Sequence, residues 1–212
     1  MRIGVDEAGK GPVLGPMVAA AVRAPPSALP DGVDDSKRLS PERRESLAAA
    51  LAEHPAVGVG VGVVGTDRID DPETDMNSLT VAAQAEALAA VAVDGDSVVA
   101  DAGDVSESRF ARRLRDALEA AVDLRAEHRA DAADAHVAAA SVVAKVERDA
   151  AVDALRAQYG EVGSGYPSDP TTRAFLREYV AEHGDVPDCA RRTWGTCADV
   201  LAAAEQSALD DF

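Results

Sequence analysis

The chain has 212 residues, of which 38 are acidic and 21 are basic, so that its net charge is −17. No apolar run approaches the roughly 18 residues that a membrane-spanning helix needs. Acids at positions 6 and 7 also interrupt any signal peptide, so we expect a cytoplasmic protein. Cys189 and Cys197 have no second cysteine pair or histidine doublet beside them, which argues against a zinc site and predicts two ordinary thiols.

The composition is unusual in a second respect. Lys10, Lys37 and Lys145 are the only lysines, and aromatic residues make up 3% of the chain. An acid-rich, lysine-poor chain with few large apolar residues is typical of a halophile, because molar salt screens self-repulsion to within about 3 Å. In such a protein the net charge says little about whether the substrate is an anion.

The N-terminal segment places two acids at the end of an apolar run. Arg2–Val5 is predicted to be a short buried strand, and Asp6 and Glu7 follow it directly. On an ideal strand these two side chains point to opposite faces. The glycine-rich turn that follows would let the chain curl, so that both carboxylates reach one cation. A strand that ends in a solvated acidic turn is the alternative interpretation.

The same segment partly matches a phosphate-binding loop. Gly4, Gly9 and Lys10 fit the spacing G-x-x-x-x-G-K. That loop requires Ser or Thr after the lysine to hold magnesium, but position 11 is Gly. Two acids inside the loop would also repel the phosphates that its backbone amides should bind. The sequence therefore favours a carboxylate metal site over a nucleotide-binding loop.

Apolar runs and helix signals alternate along the rest of the chain. Further strands are predicted at 17–22, 56–64, 97–100 and 122–127. Helices are predicted at 41–53, from a cap at Asn77 or Ser78 to 93, from a cap at Ser106 or Ser108, at 171–183 and at 197–208. Residues 132–159 are predicted to form one long helix, or two with a kink. Because no helix connects the first strands, we expect antiparallel hairpins and a mixed sheet in an α/β fold. Alternating glycine in 56–64 predicts that a helix or another backbone approaches that strand closely.

Acids recur at the ends of predicted strands. Asp101 follows the strand 97–100 and precedes a small-residue turn, and Asp131 or Asp134 lies at the start of the long helix. Functional sites of α/β sheets form where strand ends meet. Four carboxylates without a cysteine or histidine cluster suit Mg²⁺ or Mn²⁺. Two such ions about 4 Å apart can activate water and stabilise the leaving oxygen in phosphodiester hydrolysis. For each acid taken singly, a solvated surface carboxylate is the alternative.

Six motifs occur in order along most of the chain. They are Asp6–Pro12, Asp35–Leu39, Asp101–Gly103, Glu127–Asp131, Ala139–Asp149 and Gly163–Pro170. Together they resemble the ribonuclease HII family in its archaeal form. The opening motif alone would be only suggestive, but the full series is specific.

The resemblance implies a ribonuclease H-like fold, which is a mixed five-stranded sheet flanked by helices. Residues 1–160 would form the catalytic core, and residues 161–212 a C-terminal helical extension packed on it that helps to hold substrate. The implied activity is endonucleolytic hydrolysis of the RNA strand of RNA–DNA hybrids, and cleavage 5′ to ribonucleotides embedded in duplex DNA. Two Mg²⁺ or Mn²⁺ ions would assist, leaving 3′-hydroxyl and 5′-phosphate ends, and the protein would be a monomer. The alternatives are another ribonuclease H-fold metal nuclease and a non-catalytic relative that binds nucleic acid.

Site residues follow from the same resemblance. It assigns metal binding and catalysis to Asp6, Glu7, Asp101 and Asp131. Asp131 is preferred to its rival Asp134 because it is the acid of the family's Ala-Asp pair, ten residues before a serine in the long helix.

Substrate contacts are assigned in the same way. The turn Gly9, Lys10, Gly11 matches the family's Gly-Arg-Gly turn, with Lys for Arg, whose close backbone approach recognises the ribose 2′-hydroxyl. Tyr166 matches the tyrosine that packs against the sugar at the junction. Lys37 and Lys145 are predicted to contact phosphate or to support the carboxylates, with a surface salt bridge as the alternative. Ser141 is predicted to bond backbone or phosphate, with helix packing as the alternative.

Overall fold

A computed structural model describes residues 1–33 and 39–210, with side chains up to residue 206. Lys37, one of the predicted substrate contacts, lies outside the described residues. The strands are β1 Arg2–Ala8, β2 Met17–Ala24, β3 Gly58–Val64, β4 Ser97–Asp101 and β5 Asp123–Glu127. The helices are α1 Pro41–Glu53, α2 Thr66–Ile69, α3 Met76–Ala89, α4 Glu107–Asp116, α5 Ala135–Tyr159, α6 Pro170–His183 and α7 Gly195–Asp210.

The strands form one mixed sheet in the order β3-β2-β1-β4-β5. Strands β1, β2 and β3 pair antiparallel, as predicted, although only β1 and β2 lack a helix between them and α1 lies between β2 and β3. Strands β1, β4 and β5 pair parallel, which requires the crossover helices that the sequence supplies. Strands β1 and β4, which carry the predicted acids, are therefore parallel neighbours, and their carboxyl ends lie side by side.

Contacts divide the chain into two compact units. The first comprises Met1–Lys10, Met17–Val64 and Asp75–Arg148, and contains the whole sheet. The second comprises Gly11–Pro16, Gly65–Thr74 and Asp149–Phe212. The sequence predicted a different division, into a catalytic core at 1–160 and an extension at 161–212 that helps to hold substrate. That division concerns function, and it stays a prediction.

Helix α3 covers one face of the sheet, and the glycines of β3 make this possible. A side chain at Gly60 would place its Cβ 2.1 Å from the carbonyl oxygen of Ala87, and one at Gly62 would place it 2.2 Å from that of Ala83. Real Cβ atoms never come so close, so only glycine fits beneath this helix. The close approach predicted from the glycine alternation is confirmed.

Helices α1 and α5 cover the opposite face. At Gly4 of β1, a Cβ would lie 2.0 Å from the backbone carbon of His136, at the start of α5. Gly4 pairs with Val22 of β2, and this buried valine packs with Leu47 and Leu51 of α1. Leu47 and Leu51 are four residues apart, which puts both on the one face of α1 that meets the core.

The edges of the sheet differ in character. Among the described residues, β3 pairs only with β2, and its Val61 and Val63 are 37% and 50% exposed. Strand β5, at the other edge, alternates buried residues with the charged Asp123, Arg125 and Glu127. Charged side chains discourage pairing with another strand, whereas valine and glycine do not.

The second unit has its own apolar core. Residues of α5, α6 and α7 form it with Val13 and Leu14 of the segment Gly11–Pro16. The fully buried Arg191 lies against this segment: its amide donates to the Val13 carbonyl at 2.8 Å and its Nε to the Gly15 carbonyl at 3.1 Å. Its guanidinium carbon lies 5.1 Å from the ring centre of Trp194. The free thiols of Cys189 and Cys197 are buried in the same core.

Among the described residues, no helix is both long enough and apolar enough to cross a membrane.

Candidate active site

Asp6 and Glu7 lie inside β1 rather than after it. The strand continues to Ala8, with Asp6 paired to Ala20 and Glu7 to Ala19. The chain therefore does not curl between the two acids, and the pleat sends their side chains to opposite faces of the sheet. The physical reason is the antiparallel partner β2, whose pairing holds this part of β1 extended.

Asp6 is on the face covered by α5. It is 5% exposed and forms a hydrogen bond with the Ser141 hydroxyl, which accepts one from Lys145 Nζ at 2.6 Å. Ser141 and Lys145 are one helical turn apart, so α5 supplies both groups from one side. Burial, together with the charges of Glu7 and Asp101, raises the pKa of Asp6 well above its usual range.

Glu7 is on the α3 face, where a buried glutamine meets it. Gln84 Nε2 donates to Glu7 Oε2 at 2.7 Å and to the Asp101 carbonyl at 3.1 Å. Burial raises the pKa of Glu7 to about 7, with Asp101 adding to the rise, while the Gln84 bond and the charge of Lys10 act in the opposite direction. Each of the two adjacent acids is thus oriented by a polar residue from the helix on its own face.

Asp101 ends β4, directly beside β1. The parallel register pairs Val5 with Ala100, so the next residue of each strand, Asp6 and Asp101, is adjacent. Asp101 Oδ1 accepts the amide hydrogen of Ala130 at 2.7 Å. Asp131 follows Ala130 within a 3₁₀ turn and is itself buried. This bond connects the segment that carries Asp131 to the end of β4.

Asp134, the alternative to Asp131 as the fourth acid of the site, makes contacts that stabilise the fold. It forms an ion pair with Arg2 of β1 and accepts the amide hydrogen of His136 at 2.9 Å. Although burial opposes it, these contacts lower the pKa of Asp134 far below its usual value. Asp134 therefore anchors the start of α5 to β1.

The turn after β1 is held by Lys10. Gly9 has φ of +83°, which a glycine adopts without strain. The Lys10 ammonium donates to the Gly103 carbonyl and lies 3.5 Å from Asn77 Oδ1 of α3. Its side chain therefore connects the turn after β1 to the turn after β4. Because the Lys10 side chain is directed toward the protein, the backbone of the turn is the part that is suited to contact a bound molecule.

Gly11 and Tyr166 belong to the second compact unit. A Cβ at Gly11 would lie 3.7 Å from Tyr166 Cε1, so the two are neighbours, and Tyr166 is 41% exposed. The loop that presents Tyr166 is fixed by Asp169, whose Oδ2 accepts from the Ser164 amide at 2.6 Å and its hydroxyl at 2.7 Å. A partly exposed aromatic ring on a rigid loop beside a glycine is suited to stack on a sugar or base.

The donor set fits a hard divalent cation. The charges of Glu7 and Asp101 raise the pKa of Asp6, and the charge of Asp101 raises the pKa of Glu7. Like charges gathered at neighbouring strand ends need a cation to offset them. All available donors are carboxylate oxygens, which Mg²⁺ and Mn²⁺ prefer. The fit is one of donor chemistry: among the described residues, no group of three or more His, Cys, Asp or Glu side chains is arranged to hold a metal ion.

Gln84 is the site residue that sequence reasoning missed. It is the one polar side chain in the helical run Val81–Leu88 that is fully buried. A glutamine within an alanine-rich stretch was the available signal, because a buried amide needs hydrogen-bonding partners. Its partners, however, come from β1 and β4, which the sequence did not connect to this helix.

The order of the strands and the acids at the ends of β1 and β4 define a class of protein, a nuclease built on the ribonuclease H fold. The sequence model described as Ribonuclease HII matches residues 3–197. The chain belongs to the ribonuclease HII family, as its motifs predicted, and is an endoribonuclease acting on RNA–DNA hybrids. Members of this family depend on metal ions.

Known proteins resemble the chain over its full length. Ribonuclease HII of Haloarcula marismortui is 62% identical over 212 residues, covering 100% of both chains. The crystal structure of ribonuclease H2 from Pyrococcus horikoshii OT3 matches with a TM-score of 0.89 and 37% identity, covering 97% of this chain and 99% of that one. The ribonuclease HII in a complex with PCNA from Archaeoglobus fulgidus matches with a TM-score of 0.84 and 36% identity, covering 100% of each. The similarity to a haloarchaeal enzyme confirms the archaeal, salt-adapted character that the sequence predicted.

Proposed function

We propose that Asp6, Glu7, Asp101 and Asp131 hold two Mg²⁺ or Mn²⁺ ions, and that the enzyme cuts 5′ to ribonucleotides, within hybrids and embedded in DNA. The observation that carries this proposal is the group of like charges at the ends of two parallel strands, the buried Asp6 with the partly buried Glu7 and Asp101. The backbone bond between Asp101 and Ala130 supports Asp131 as the fourth acid. Products with 3′-hydroxyl and 5′-phosphate ends follow from this chemistry.

The protein groups orient the ligands. When bound, the ions supply an activated water and stabilise the leaving 3′-oxygen. The hydroxyl of Ser141, itself held by Lys145, fixes the Asp6 carboxylate on one face of the sheet. The Gln84 amide fixes Glu7 on the other. We therefore assign Ser141 and Lys145 to support of the carboxylates, which is one of the two roles predicted for that lysine.

Recognition of the ribonucleotide is proposed for a different set of groups. The backbone of Gly9, Lys10 and Gly11 would bond the 2′-hydroxyl, and the exposed ring of Tyr166 would pack on the sugar. Because the Lys10 side chain is bonded to the Gly103 carbonyl, recognition by this turn falls to its backbone. Lys37, predicted to contact phosphate or to support the carboxylates, lies outside the described residues and stays a prediction.

Cleavage of defined duplexes tests this proposal. A DNA duplex with one ribonucleotide, an RNA–DNA hybrid and an all-DNA duplex would be incubated in molar KCl with Mn²⁺ or Mg²⁺, comparing wild type with Asp101→Asn. We expect a single cut 5′ to the ribonucleotide that the variant loses by at least about 1,000-fold. Cutting of the all-DNA duplex would favour another ribonuclease H-fold nuclease. Binding without any cut by folded wild type would favour the non-catalytic alternative.

We also propose that the enzyme acts as a monomer in the cytoplasm, where RNA–DNA hybrids arise and where the free thiols of Cys189 and Cys197 stay reduced. Light scattering of the purified protein in molar KCl should then give the mass of one chain, 21.9 kDa. A mass near twice that value would contradict the monomer.

A further inference from the structure

Gln84 of α3 makes contacts that fix the orientation of its amide. Its nitrogen donates to Glu7 Oε2 at 2.7 Å and to the Asp101 carbonyl oxygen at 3.1 Å. The Asp101 carbonyl oxygen can only accept, so the amide nitrogen must face it and the amide oxygen must face away. One fully buried side chain thereby connects two of the proposed ligand-bearing strand ends.

The carbonyl oxygen of Gln84, unlike the amide nitrogen, lacks a hydrogen-bonding partner among the described residues. Gln84 Oε1 is buried and accepts no hydrogen bond from the described residues. Native proteins keep few such acceptors, because each loses its bonds to water without replacement. The amide cannot turn over to satisfy the oxygen, since that would set it against the Asp101 carbonyl oxygen, which can only accept.

We infer that Gln84 is a positioning residue of the metal centre. The inference rests on the proposed metal site. The amide nitrogen holds the Glu7 carboxylate beside the end of β4. The fold tolerates an unpartnered Oε1 to keep the nitrogen in that place, which is expected of a residue retained for a site rather than for packing. Gln84 thus fixes the orientation of one carboxylate ligand before the cation binds.

Metal binding that is measured without substrate tests the inference. Free Mn²⁺ would be followed by electron paramagnetic resonance during titration of wild type and Gln84→Met in molar KCl. Methionine has nearly the same length but neither donates nor accepts strongly. We expect Mn²⁺ affinity to fall about 10- to 100-fold. The unfolding temperature without metal should stay close to that of wild type, whereas the rise that Mn²⁺ produces should shrink.

Thr80→Val is the matched control. Thr80 is fully buried one turn earlier on α3, and its hydroxyl donates at 2.7 Å to the Met76 carbonyl of the same helix. Its replacement disturbs a buried polar group of α3 without touching a carboxylate. Mn²⁺ affinity of this variant should stay within about twofold of wild type.

Two results would overturn the inference. One is an Mn²⁺ affinity of Gln84→Met within twofold of wild type. The other is a lower unfolding temperature without metal at unchanged affinity, which would make Gln84 a packing residue. If Gln84→Met does not fold, Gln84→Asn keeps the amide but withdraws it by one methylene, and the same loss of affinity is expected. Failure of wild type itself to bind Mn²⁺ would instead remove the proposed metal site.

Discussion

Asp131 and Asp134 are three residues apart, but their surroundings give them different tasks. Asp134 is buried against Arg2 and the His136 amide, and these contacts keep its pKa low. We expect Asp134→Asn to destabilise the fold by about 1–3 kcal/mol, because a buried charged pair loses one partner, while the folded fraction keeps its activity. Asp131→Asn should change stability little and abolish cleavage. Urea unfolding and the cleavage assay, run on both variants, measure the two effects.

The opposite pattern would reverse the assignment. If Asp134→Asn lost activity while remaining as stable as wild type, Asp134 would be the fourth ligand. Asn is the suitable replacement in both cases because it keeps the shape and removes only the charge.

Asp96 gives a pH-dependent prediction remote from the site. It is buried between the N-terminal ammonium at 2.7 Å and Arg23, whose Nε donates to it at 2.7 Å. Although burial opposes it, the bond from Arg23 and those from the N-terminus and the Val93 amide lower the pKa of Asp96 to about 2. A folded-state pKa below the unfolded one adds stability that is present above the unfolded value and is lost as pH falls through the folded value.

The depression corresponds to about 2 kcal/mol at neutral pH. Asp96→Asn should be less stable than wild type by this amount at pH 7, and the difference should vanish as the pH falls from about 4 to 2. Urea unfolding of both proteins across this range measures it. A difference that stays constant with pH would show that packing, rather than charge, accounts for the effect.

At the scale of elements, packing against the backbone is the most demanding feature. At Gly4 a Cβ would lie 2.0 Å and 2.2 Å from backbone atoms of His136 and Val137, which cannot give way as a side chain can. We expect Gly4→Ala to destabilise the protein by about 3 kcal/mol or more. Cleavage by the folded fraction should also fall, because α5 carries the Ser141 hydroxyl that orients Asp6.

Gly195→Ala is the control for this prediction. Gly195 begins α7, and a Cβ there would meet nothing within 4 Å. Alanine favours helix over glycine, so stability should stay the same or rise by up to about 1 kcal/mol. If both variants lost the same stability, the close backbone contact at Gly4 would not be the cause of the loss in Gly4→Ala. Thermal unfolding in molar KCl gives both values.

Much of this element structure follows from local sequence. The helix predicted at 41–53 is α1, with Ser40 as its cap and Pro41 in its first turn, and the valine and glycine alternation predicted a strand under a helix. The N-cap of α3 is Asp75 rather than Asn77 or Ser78, because its carboxylate accepts both of their amide hydrogens. The four-residue helix α2 was missed, since one helical turn leaves no periodicity to detect.

The candidate site was predictable only in part, for a similar reason. Acids at strand ends are local signals, and they indicated Asp6, Glu7 and Asp101 without any structure. The continuation of β1 to Ala8 depends on its pairing with β2, and the role of Gln84 depends on two strands remote in sequence. Such long-range partners leave no spacing rule in one sequence.

At the scale of the whole molecule, the charge of −17 governs behaviour in salt. Repulsion among the excess acids destabilises the compact state, and it also opposes the approach of a polyanionic duplex. We expect the unfolding temperature to rise as KCl increases from about 0.1 M to molar concentrations, where screening reaches a few ångströms. Hybrid cleavage should persist at molar salt, because bound divalent ions would contribute to holding the phosphate.

Steady-state cleavage across the same salt series measures the second part of this prediction. Binding through lysine and arginine contacts alone would make substrate affinity fall steeply with salt. A steep rise in KM with KCl would therefore contradict a leading role for the divalent ions. Wild type at fixed Mn²⁺ and varied KCl, with unfolding measured in parallel, separates loss of binding from loss of fold.

The exposed edge strand β3 has a consequence for how the protein aggregates. Its valines alternate with glycines, and Val61 and Val63 remain partly exposed beside backbone groups that a second copy could pair with. Salt that stabilises each copy also removes the repulsion that keeps copies apart. Aggregation in concentrated solutions should therefore begin by strand pairing at this edge. Val63→Lys should delay turbidity at molar KCl without lowering the unfolding temperature.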